Sequence, residues 1–202
     1  MNILISVITR DIIHAETVAW LCDQQARYHY GVDIVKTPFS IPHQRNLQAE
    51  RFMDTEIDYL FILDNDVVPK VGTIPDLIAD LPPKTCRVAP PWTVNQPGNT
   101  PHPMAYNLGK DGLYYPPDIS QATVGPAYFG RHVVDGAGMS GALIPRKLFL
   151  EMERPWFKWT HDKDGYVYET EDFYFWRKAA ALGWKLEADL DLIADHIKAR
   201  FL

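Results

Sequence analysis

Short apolar runs alternate with amphipathic stretches along the first 81 residues. The run at 59–63 (YLFIL) is wholly apolar, and the run at 2–9 (NILISVIT) is rich in β-branched residues, which is typical of parallel strands covered on both faces. The pattern predicts strands over 2–9, 32–35 and 59–63 and helices over 12–30, 42–53 and 72–81. We expect Gly31 to end the first helix. This alternation favours an α/β sheet that binds ligands at the carboxyl ends of its strands.

The pattern is weaker after residue 130, where one helix stands out. Thr170 can cap it, acids occupy its first turn and Gly183 can end it, so a helix over 171–182 is predicted. Shorter runs predict strands over 133–134, 142–144, 185–188 and 192–194, and a helix near 146–153.

Proline interrupts the pattern between these two parts. Ten of the 16 prolines fall between Pro82 and Pro126. Because proline lacks a backbone donor, this stretch cannot be mostly helix or central strand. Its side chains that can form hydrogen bonds, several of which can also stack, are Asn95, Asn99, His102, Tyr106, Asn107, Tyr114 and Tyr115. An irregular connector and a binding loop both remain open.

Composition narrows the class of protein. The chain has 202 residues, of which 47% are hydrophobic and 12% aromatic, enough for one domain with a real core and too many aromatics for a disordered chain. No apolar run approaches the ~18 residues of a membrane span. The two cysteines give neither a disulfide framework nor zinc-ligand spacing, which predicts a cytoplasmic protein.

The net charge of -6 is unevenly distributed. Residues 58–66, 162–172 and 187–195 hold 12 of the 26 acids and one base, so these segments sum to -11 and the rest of the chain to +5. Solvated acidic faces are common. A net acidic chain is nevertheless a poor candidate for sequence-independent binding to phosphate backbones.

Two carboxylates directly follow the apolar run at 59–63. Asp64 and Asp66 are two positions apart, so on an extended chain they project to the same side. Such carboxylates repel each other unless a cation neutralises them, and an all-oxygen site suits Mg²⁺ or Mn²⁺, with water and substrate phosphates as further ligands. A simple turn around Asn65 remains the alternative.

Glu171 and Asp172 lie in the first turn of the predicted helix over 171–182. Acids there stabilise the helix dipole by about 0.3–1 kcal/mol, which alone would explain both residues. Alternatively, one of them faces a cleft as a general base that accepts a proton from an incoming hydroxyl.

Arg45, Asn46 and His196 are further candidates. Arginine suits bidentate recognition of phosphate, and asparagine inside a helix indicates a specific hydrogen bond. An isolated histidine is more often structural than a ligand, although neutral imidazole suits Mn²⁺.

Two other segments are unusual in composition. The run Gly136–Gly141 is glycine-rich but matches neither a P-loop nor a dinucleotide fingerprint, since a strand is predicted after it. Its glycines would let a ligand approach the backbone. Nine aromatic residues between Pro155 and Trp176, including Trp156 and Phe157, either pack in the core or form a stacking surface.

Six segments in chain order resemble the nucleotide-sugar-dependent glycosyltransferases of the GT-A fold, family 2-like, of the short bacterial and phage type. These segments are ISVITRD, HQRNLQAERF, YLFILDNDVVP, VDGAGMSGALIPRKLF followed by RPWF, ETEDFYFWRKAAALGWKL and DLIADHI. The resemblance implies a single α/β domain over 1–202, with a Rossmann-like mixed central sheet flanked by helices. It divides the chain into a nucleotide-binding half (1–81), a proline-rich loop region (82–131) and a donor-sugar and acceptor half (132–202).

The resemblance also implies residue roles. It places the donor nucleotide and sugar against Thr9, Arg10, Arg45, Asp64, Asn65, Ser140 and Gly141. It assigns Mn²⁺ or Mg²⁺ to Asp66 and His196, with Asp64 alongside. Asp172 would be the base of an inverting transfer, with Glu171 beside it, and Trp156 and Phe157 would flank the acceptor.

The implied activity is transfer of a hexosyl or related sugar from a UDP- or GDP-linked donor to an acceptor hydroxyl. The acceptor could be a glycan, a protein, a small molecule or a modified nucleic-acid base. A nucleotidyltransferase is the first alternative, but it normally carries a glycine-rich loop after the first strand, and Thr9-Arg10-Asp11 has no glycine. A non-catalytic nucleotide- or sugar-binding module, the second alternative, needs no base such as Asp172.

Overall fold

A seven-stranded mixed sheet forms the centre of the protein in the computed structural model, which describes residues 2–92, 102–116 and 130–197. The strands are β1 (Ile3–Thr9), β2 (Gly31–Lys36), β3 (Tyr59–Asp64), β4 (Val67–Val68), β5 (Thr85–Val88), β6 (Ala105–Leu108), β7 (Tyr114–Tyr115), β8 (Arg131–Val134), β9 (Gly136–Ala137), β10 (Ala142–Pro145), β11 (Thr160–His161), β12 (Val167–Glu169), β13 (Lys185–Asp189) and β14 (Asp195–His196). The helices are α1 (Ala15–Tyr28), α2 (Ile41–Met53), α3 (Thr73–Ile78), α4 (Arg146–Glu151) and α5 (Glu171–Ala181).

The central sheet has the strand order β2-β1-β3-β10-β5-β13-β8. Strands β1, β2 and β3 are parallel. Strand β10 runs antiparallel between β3 and β5, with Leu143 opposite Phe61 on one side and Arg87 on the other. The predicted α/β class, with a mixed central sheet flanked by helices, is therefore confirmed.

Alternation along β1 and β3 explains how the sheet is covered on both faces. Ile5 and Phe61 belong to a buried cluster with Trp20 of α1. Leu60 instead belongs to the buried cluster that contains Phe52 of α2. Because successive side chains of a strand point to opposite faces, these wholly buried strands need a helix on each side.

The proline-rich stretch contains three strands that the sequence did not predict, β5, β6 and β7. Strand β5 (Thr85–Val88) is fully buried near the centre of the sheet, so describing 82–131 as a loop region is wrong for this part. The four residues of β5 contain no proline, and the prolines that follow do not interrupt its ladder. Asn95 and Asn99 lie outside the described residues.

Two predicted boundaries are also wrong. Helix α1 ends with His29 in the left-handed conformation (φ 56°), and Gly31 already belongs to β2. The predicted strand over 192–194 is replaced by a short 3₁₀ turn, Leu190–Leu192, and regular pairing resumes only at Asp195.

Within the described ranges, no helix is long and apolar enough to cross a membrane. Cys22 is exposed and Cys86 is buried, and both are free thiols. The cytoplasmic location inferred from the cysteines stays a prediction.

Asn46 joins α2 to the segment that follows α4. Its Nδ2 donates to the carbonyl oxygens of Pro42 (2.8 Å) and Phe157 (2.7 Å). Its Oδ1 accepts from the backbone N–H groups of Trp156 (3.1 Å) and Phe157 (3.2 Å). The specific bond expected of an asparagine inside a helix is therefore present, and it anchors a segment 110 residues away.

We expect Asn46→Ala to lower the free energy of unfolding by about 2–4 kcal/mol, because several partly buried backbone groups lose their partner. Urea unfolding followed by circular dichroism measures this change. Gln25→Ala, which removes an exposed amide from α1, is the matched control and should change stability by less than about 0.5 kcal/mol. Equal effects of the two substitutions would contradict the anchoring role.

Candidate active site

A cavity of about 580 Å³ opens at the carboxyl ends of β1 and β3. Its walls come from the loops after these strands, from α2, from the segment before β10 and from the N-terminus of α5. The predicted site residues that line it are Thr9, Arg10, Arg45, Asp64, Asn65, Asp66, Ser140, Glu171, Asp172 and His196. The fold therefore brings residues from six separate segments of the chain to one edge of the sheet.

Helix α2 contributes a buried polar face to this cavity. Arg45 is 3% exposed, and its Nη2 lies 2.5 Å from Asp64 Oδ1. Its Nη1 donates to Oε1 of Gln48, whose own Nε2 donates to the Ser6 carbonyl in β1. Gln44, one residue before Arg45, donates to the Thr37 and Phe39 carbonyls. This ladder of polar contacts fixes the guanidinium at the end of β3.

Two predicted donor-binding residues also hold the loop after β1. Thr9 Oγ1 donates to the Ile12 carbonyl at 2.6 Å, and Asn65 Nδ2 donates to the same oxygen at 2.7 Å. The backbone N–H of His14 donates to the Asn65 carbonyl at 3.0 Å. The loop that carries Arg10 is thus tied to the end of β3.

The segment before β10 forms another part of the wall. Ser140 Oγ accepts a hydrogen bond from the backbone N–H of Asp64 at 3.0 Å. Gly141 does not line the cavity, which corrects its predicted donor contact. It has φ +83°, and a Cβ built on it would lie 2.2 Å from the Ala89 carbonyl oxygen. Its small size therefore serves the close approach of two backbone segments.

Asp66 and His196 are brought together by pairing of β4 with β14. His196 lies opposite Val67, and its Nε2 is 3.4 Å from Asp66 Oδ2. The other ring nitrogen, Nδ1, is 3.1 Å from the Trp92 carbonyl, a contact that makes Nδ1 the donor and turns Nε2 towards Asp66. The hydrogen bond with Asp66 raises the pKa of His196 above its ordinary value.

One carboxylate and one imidazole fit a divalent transition ion such as Mn²⁺ as partial ligands. Among the described residues, no group of three His, Cys, Asp or Glu side chains is close enough to hold a metal ion. The predicted trio of Asp64, Asp66 and His196 is therefore not assembled, because Asp64 is bound by Arg45. The described part of this site offers these two side chains, and an ion there would need further ligands, such as water or substrate.

Asp172 and Glu171 reach the cavity from the first turn of α5. Glu171 is 8% exposed, and its Oε2 accepts from Trp159 Nε1 at 2.8 Å. Asp172 is half-buried and accepts hydrogen bonds from the Thr170 hydroxyl and the Phe173 N–H. Burial, followed by the nearby Glu171 carboxylate, raises the pKa of Asp172 to about 6. A carboxyl group with this pKa can exchange a proton near neutral pH.

Comparisons with known proteins identify the fold. No family model and no curated protein sequence matches the chain. A crystal structure of A197 from STIV superposes with a TM-score of 0.63 at 16% identity, covering 96% of this chain and 84% of that one. A crystal structure of GalNAc-T7 with UDP, GalNAc and Mn²⁺ superposes with a TM-score of 0.58 at 14% identity. The fold is GT-A-like. This match covers 96% of the present chain and 43% of the GalNAc-T7 chain.

In this GT-A-like fold, the residues predicted to flank the acceptor lie in the core. Trp156 is 3% exposed and Phe157 is 1% exposed. Trp156 Nε1 donates to the Phe149 and Met152 carbonyls, and the Phe157 ring stacks on Phe175 with centroids 4.7 Å apart. The predicted acceptor contacts at these two residues are therefore wrong, because neither side chain is accessible.

Some cavity residues were not predicted from the sequence. Gln44 and Met104 line the cavity, as does the exposed Ile12. Gly138 also lines it, and it belongs to the glycine-rich run that was expected to approach a ligand. Gln44 directly precedes Arg45 in the HQRN segment, and both side chains are buried. Its position next to a predicted site residue was the signal in the sequence that could have identified Gln44. Met104 carried no such signal.

Proposed function

We propose that this protein is a metal-dependent glycosyltransferase that moves a hexosyl or related sugar from a UDP- or GDP-linked donor to an acceptor hydroxyl. The observation that carries the proposal is one cavity that combines the Asp66–His196 pair, the buried Arg45 and the Asp172 carboxyl group. A GT-A-like fold shared with a structure that contains UDP, GalNAc and Mn²⁺ supports it. Cytoplasmic location and the family 2-like, bacterial or phage type belong to the same proposal.

Asp172 would act as the general base of an inverting transfer. Its carboxylate takes the proton of the acceptor hydroxyl while that oxygen forms a bond to the anomeric carbon of the donor sugar. The bond between this carbon and the diphosphate oxygen breaks, and the nucleoside diphosphate leaves with the electron pair. Burial, followed by the Glu171 carboxylate that Trp159 holds, keeps the Asp172 pKa raised, so the base is strong enough to accept the proton near neutral pH.

The donor would bind along the carboxyl ends of β1 and β3. Thr9 and Arg10 would contact the nucleoside, and the buried guanidinium of Arg45, with Asp64, would orient the ribose and diphosphate. Asp66 and His196 would hold Mn²⁺ or Mg²⁺, which supplies Lewis-acid stabilisation of the negative charge on the departing diphosphate. Ser140 would sit at the floor of the donor-sugar pocket.

The metal-dependence of nucleotide binding tests the proposal. We expect UDP or GDP with Mn²⁺ to raise the melting temperature of the wild-type protein. EDTA should abolish most of this shift, because the ion needs the diphosphate as a ligand and the diphosphate needs the ion to bind. Asp66→Asn should remove most of the metal-dependent part, since it takes one charged ligand from the ion. Differential scanning fluorimetry measures both.

Asp191→Asn is the matched control, since it removes an exposed carboxylate from the acidic segment 187–195, which directly precedes His196. It should leave the nucleotide-dependent shift unchanged. A shift of equal size in EDTA, or an equal loss in both variants, would contradict the metal site. A protein that no nucleoside diphosphate stabilises would contradict the proposed function itself.

A further inference from the structure

A second cavity, of about 530 Å³, opens at the same end of α5 as the first. Glu171 and Asp172 line the first cavity, whereas Thr170 and Phe173 line the second. The Thr170 hydroxyl also donates a hydrogen bond to Asp172 Oδ1. Thr170 therefore links the wall of the second cavity to the residue proposed as the base, so an occupant of the second cavity lies one side chain away from that carboxylate.

Two hairpins and α5 form the walls of this second cavity. The β6–β7 hairpin contributes Leu113 and Tyr114, the β11–β12 hairpin contributes Tyr168 and Glu169, and α5 contributes the Phe173 ring. The cavity is thus distinct from the strand-end cleft of the first.

One wall of the second cavity is formed by aromatic rings that pack closely over a glycine. The rings of Tyr114 and Phe173 lie 4.1 Å apart between centroids, at an angle of 35°. Beneath them is Gly136, where an added Cβ would lie 2.5 Å from the Phe173 ring and 3.2 Å from Tyr114. Only glycine therefore allows the two rings this position. Tyr168 faces the same cavity and is 77% exposed, so its ring is available to a ligand.

A planar polar pair completes the wall. Arg177 Nε and Nη2 donate to the two carboxylate oxygens of Glu169 at 2.8 and 2.9 Å. This bidentate pair is rigid, and it retains further donors and acceptors at its edges. Aromatic faces beside a few oriented polar groups are the usual lining of a small-molecule site.

The chemistry of these walls matches a sugar. A pyranose ring has a face of C–H groups that packs on an aromatic ring and a rim of hydroxyls that both donate and accept hydrogen bonds. The two hairpins, residues 105–115 and 160–169, contain four acids and two bases. This excess of negative charge disfavours a phosphate backbone. The charged residues that line the cavity, Glu169 and Arg177, pair with each other, so the wall suits a neutral ligand.

We propose that the second cavity is the acceptor site and that it binds a neutral glycan, stacked on Tyr114, Tyr168 and Phe173 and hydrogen-bonded to the Glu169–Arg177 pair. The proposal rests on the proposed transferase function, since it names the acceptor of that reaction. It replaces the acceptor contacts first assigned to the buried Trp156 and Phe157.

Saturation-transfer NMR on the full chain with UDP or GDP and Mn²⁺ tests this proposal, with maltotriose, cellotriose and chitotriose as probes. We expect at least one trisaccharide to bind, and Tyr168→Ala to weaken its binding about tenfold through loss of the stacking face. Tyr168→Phe keeps that face and should retain binding within about threefold. Tyr166→Ala is the control, because Tyr166 is 74% exposed on the same hairpin but does not line the cavity.

Two results would overturn the glycan site while leaving the transferase intact. One is a nucleotide-dependent thermal shift with no trisaccharide bound, and the other is equal weakening by Tyr168→Ala and Tyr166→Ala. Binding of an oligo(dT) probe in place of the trisaccharides would also overturn it. Conversely, Tyr168-dependent trisaccharide binding without any stabilisation by UDP or GDP would support the glycan site and reject the proposed transferase.

Discussion

Asp172→Asn should reduce sugar transfer by about 10²–10⁴-fold while nucleotide binding is retained, because the amide cannot accept the proton of the acceptor hydroxyl. The amide oxygen can still accept the hydrogen bonds from Thr170 and Phe173, so the local structure should persist. Transfer is measured with a donor sugar and the accepted trisaccharide, and nucleotide binding by the thermal shift. In the wild-type protein, turnover should fall below about pH 6 as Asp172 becomes protonated.

Asp164→Asn is the control for this prediction, since Asp164 is an exposed carboxylate on the turn of the β11–β12 hairpin. It should leave turnover within about twofold of the wild-type rate, as expected for a surface substitution away from the chemistry. Full turnover in Asp172→Asn would reject the assignment of Asp172 as base. Loss of nucleotide binding together with turnover would show that Asp172 holds the donor instead.

The same substitution should stabilise the protein at neutral pH. The pKa of Asp172 is raised in the folded state to about 6, so the folded protein holds this proton more tightly than the unfolded chain does. The stability contributed by the protonated carboxyl is present in acid and is lost as the pH rises through about 6. Asp172→Asn does not lose this stability, because the amide does not ionise. In EDTA, we expect it to be more stable than wild type by about 1–2 kcal/mol at pH 8 and equal near pH 4, measured by urea unfolding.

Gly141→Ala should lower the free energy of unfolding by more than about 4 kcal/mol, enough to leave much of the protein unfolded. Alanine at φ +83° costs about 1–2 kcal/mol, and its Cβ would lie 2.2 Å from the Ala89 carbonyl oxygen. That oxygen is backbone and cannot rotate away. Relief would require separating the segments that the Ala89 N–H to Gly141 carbonyl bond (3.0 Å) holds together. Chemical unfolding and soluble yield measure the effect.

Gly165→Ala separates the cost of the left-handed backbone conformation from the cost of the clash with Ala89. Gly165 has φ +87°, but nothing lies within 4 Å of a Cβ placed there. It should therefore lose only the conformational part, about 1–2 kcal/mol. Similar losses at Gly141 and Gly165 would show that the contact with Ala89 is unimportant.

Where the sequence predicted the fold well, local pattern and global packing agreed. Strands β1 and β3 are apolar on both faces, and polar residues follow each of them directly. The bounds of these two strands could therefore be predicted to within a residue or two. Strand β5 could not be recognised from the many prolines of the 45 residues around it, because a central strand needs only four consecutive residues without proline. The run 192–194 (LIA) has the apolar composition of a strand, but Leu192 ends a short 3₁₀ turn and Ala194 forms an isolated bridge with Pro91.

The residues of the candidate site also differ in how well the sequence predicts them. Polar residues placed directly at the ends of neighbouring strands, such as Thr9 of β1 and Asp64 of β3, could be expected to meet because these strands are parallel. The roles of Trp156 and Phe157 could not be read from composition, since an aromatic residue serves equally well in a core or on a surface. Nor could those of Tyr114 and Tyr168, because their meeting depends on how two short hairpins pack.

Strand β10 constrains the order in which the protein can assemble. It lies between β3 and β5, yet it is synthesised after both. Until residue 145 has left the ribosome, those two strands each expose an unpaired edge, which is a risk for association with other chains. The wall that Ser140 provides for Asp64 forms with the same event. A nascent chain cut before β10 would therefore lack the strand that joins β3 to β5, and the candidate site would be complete only after α5 and His196, which come later in the chain.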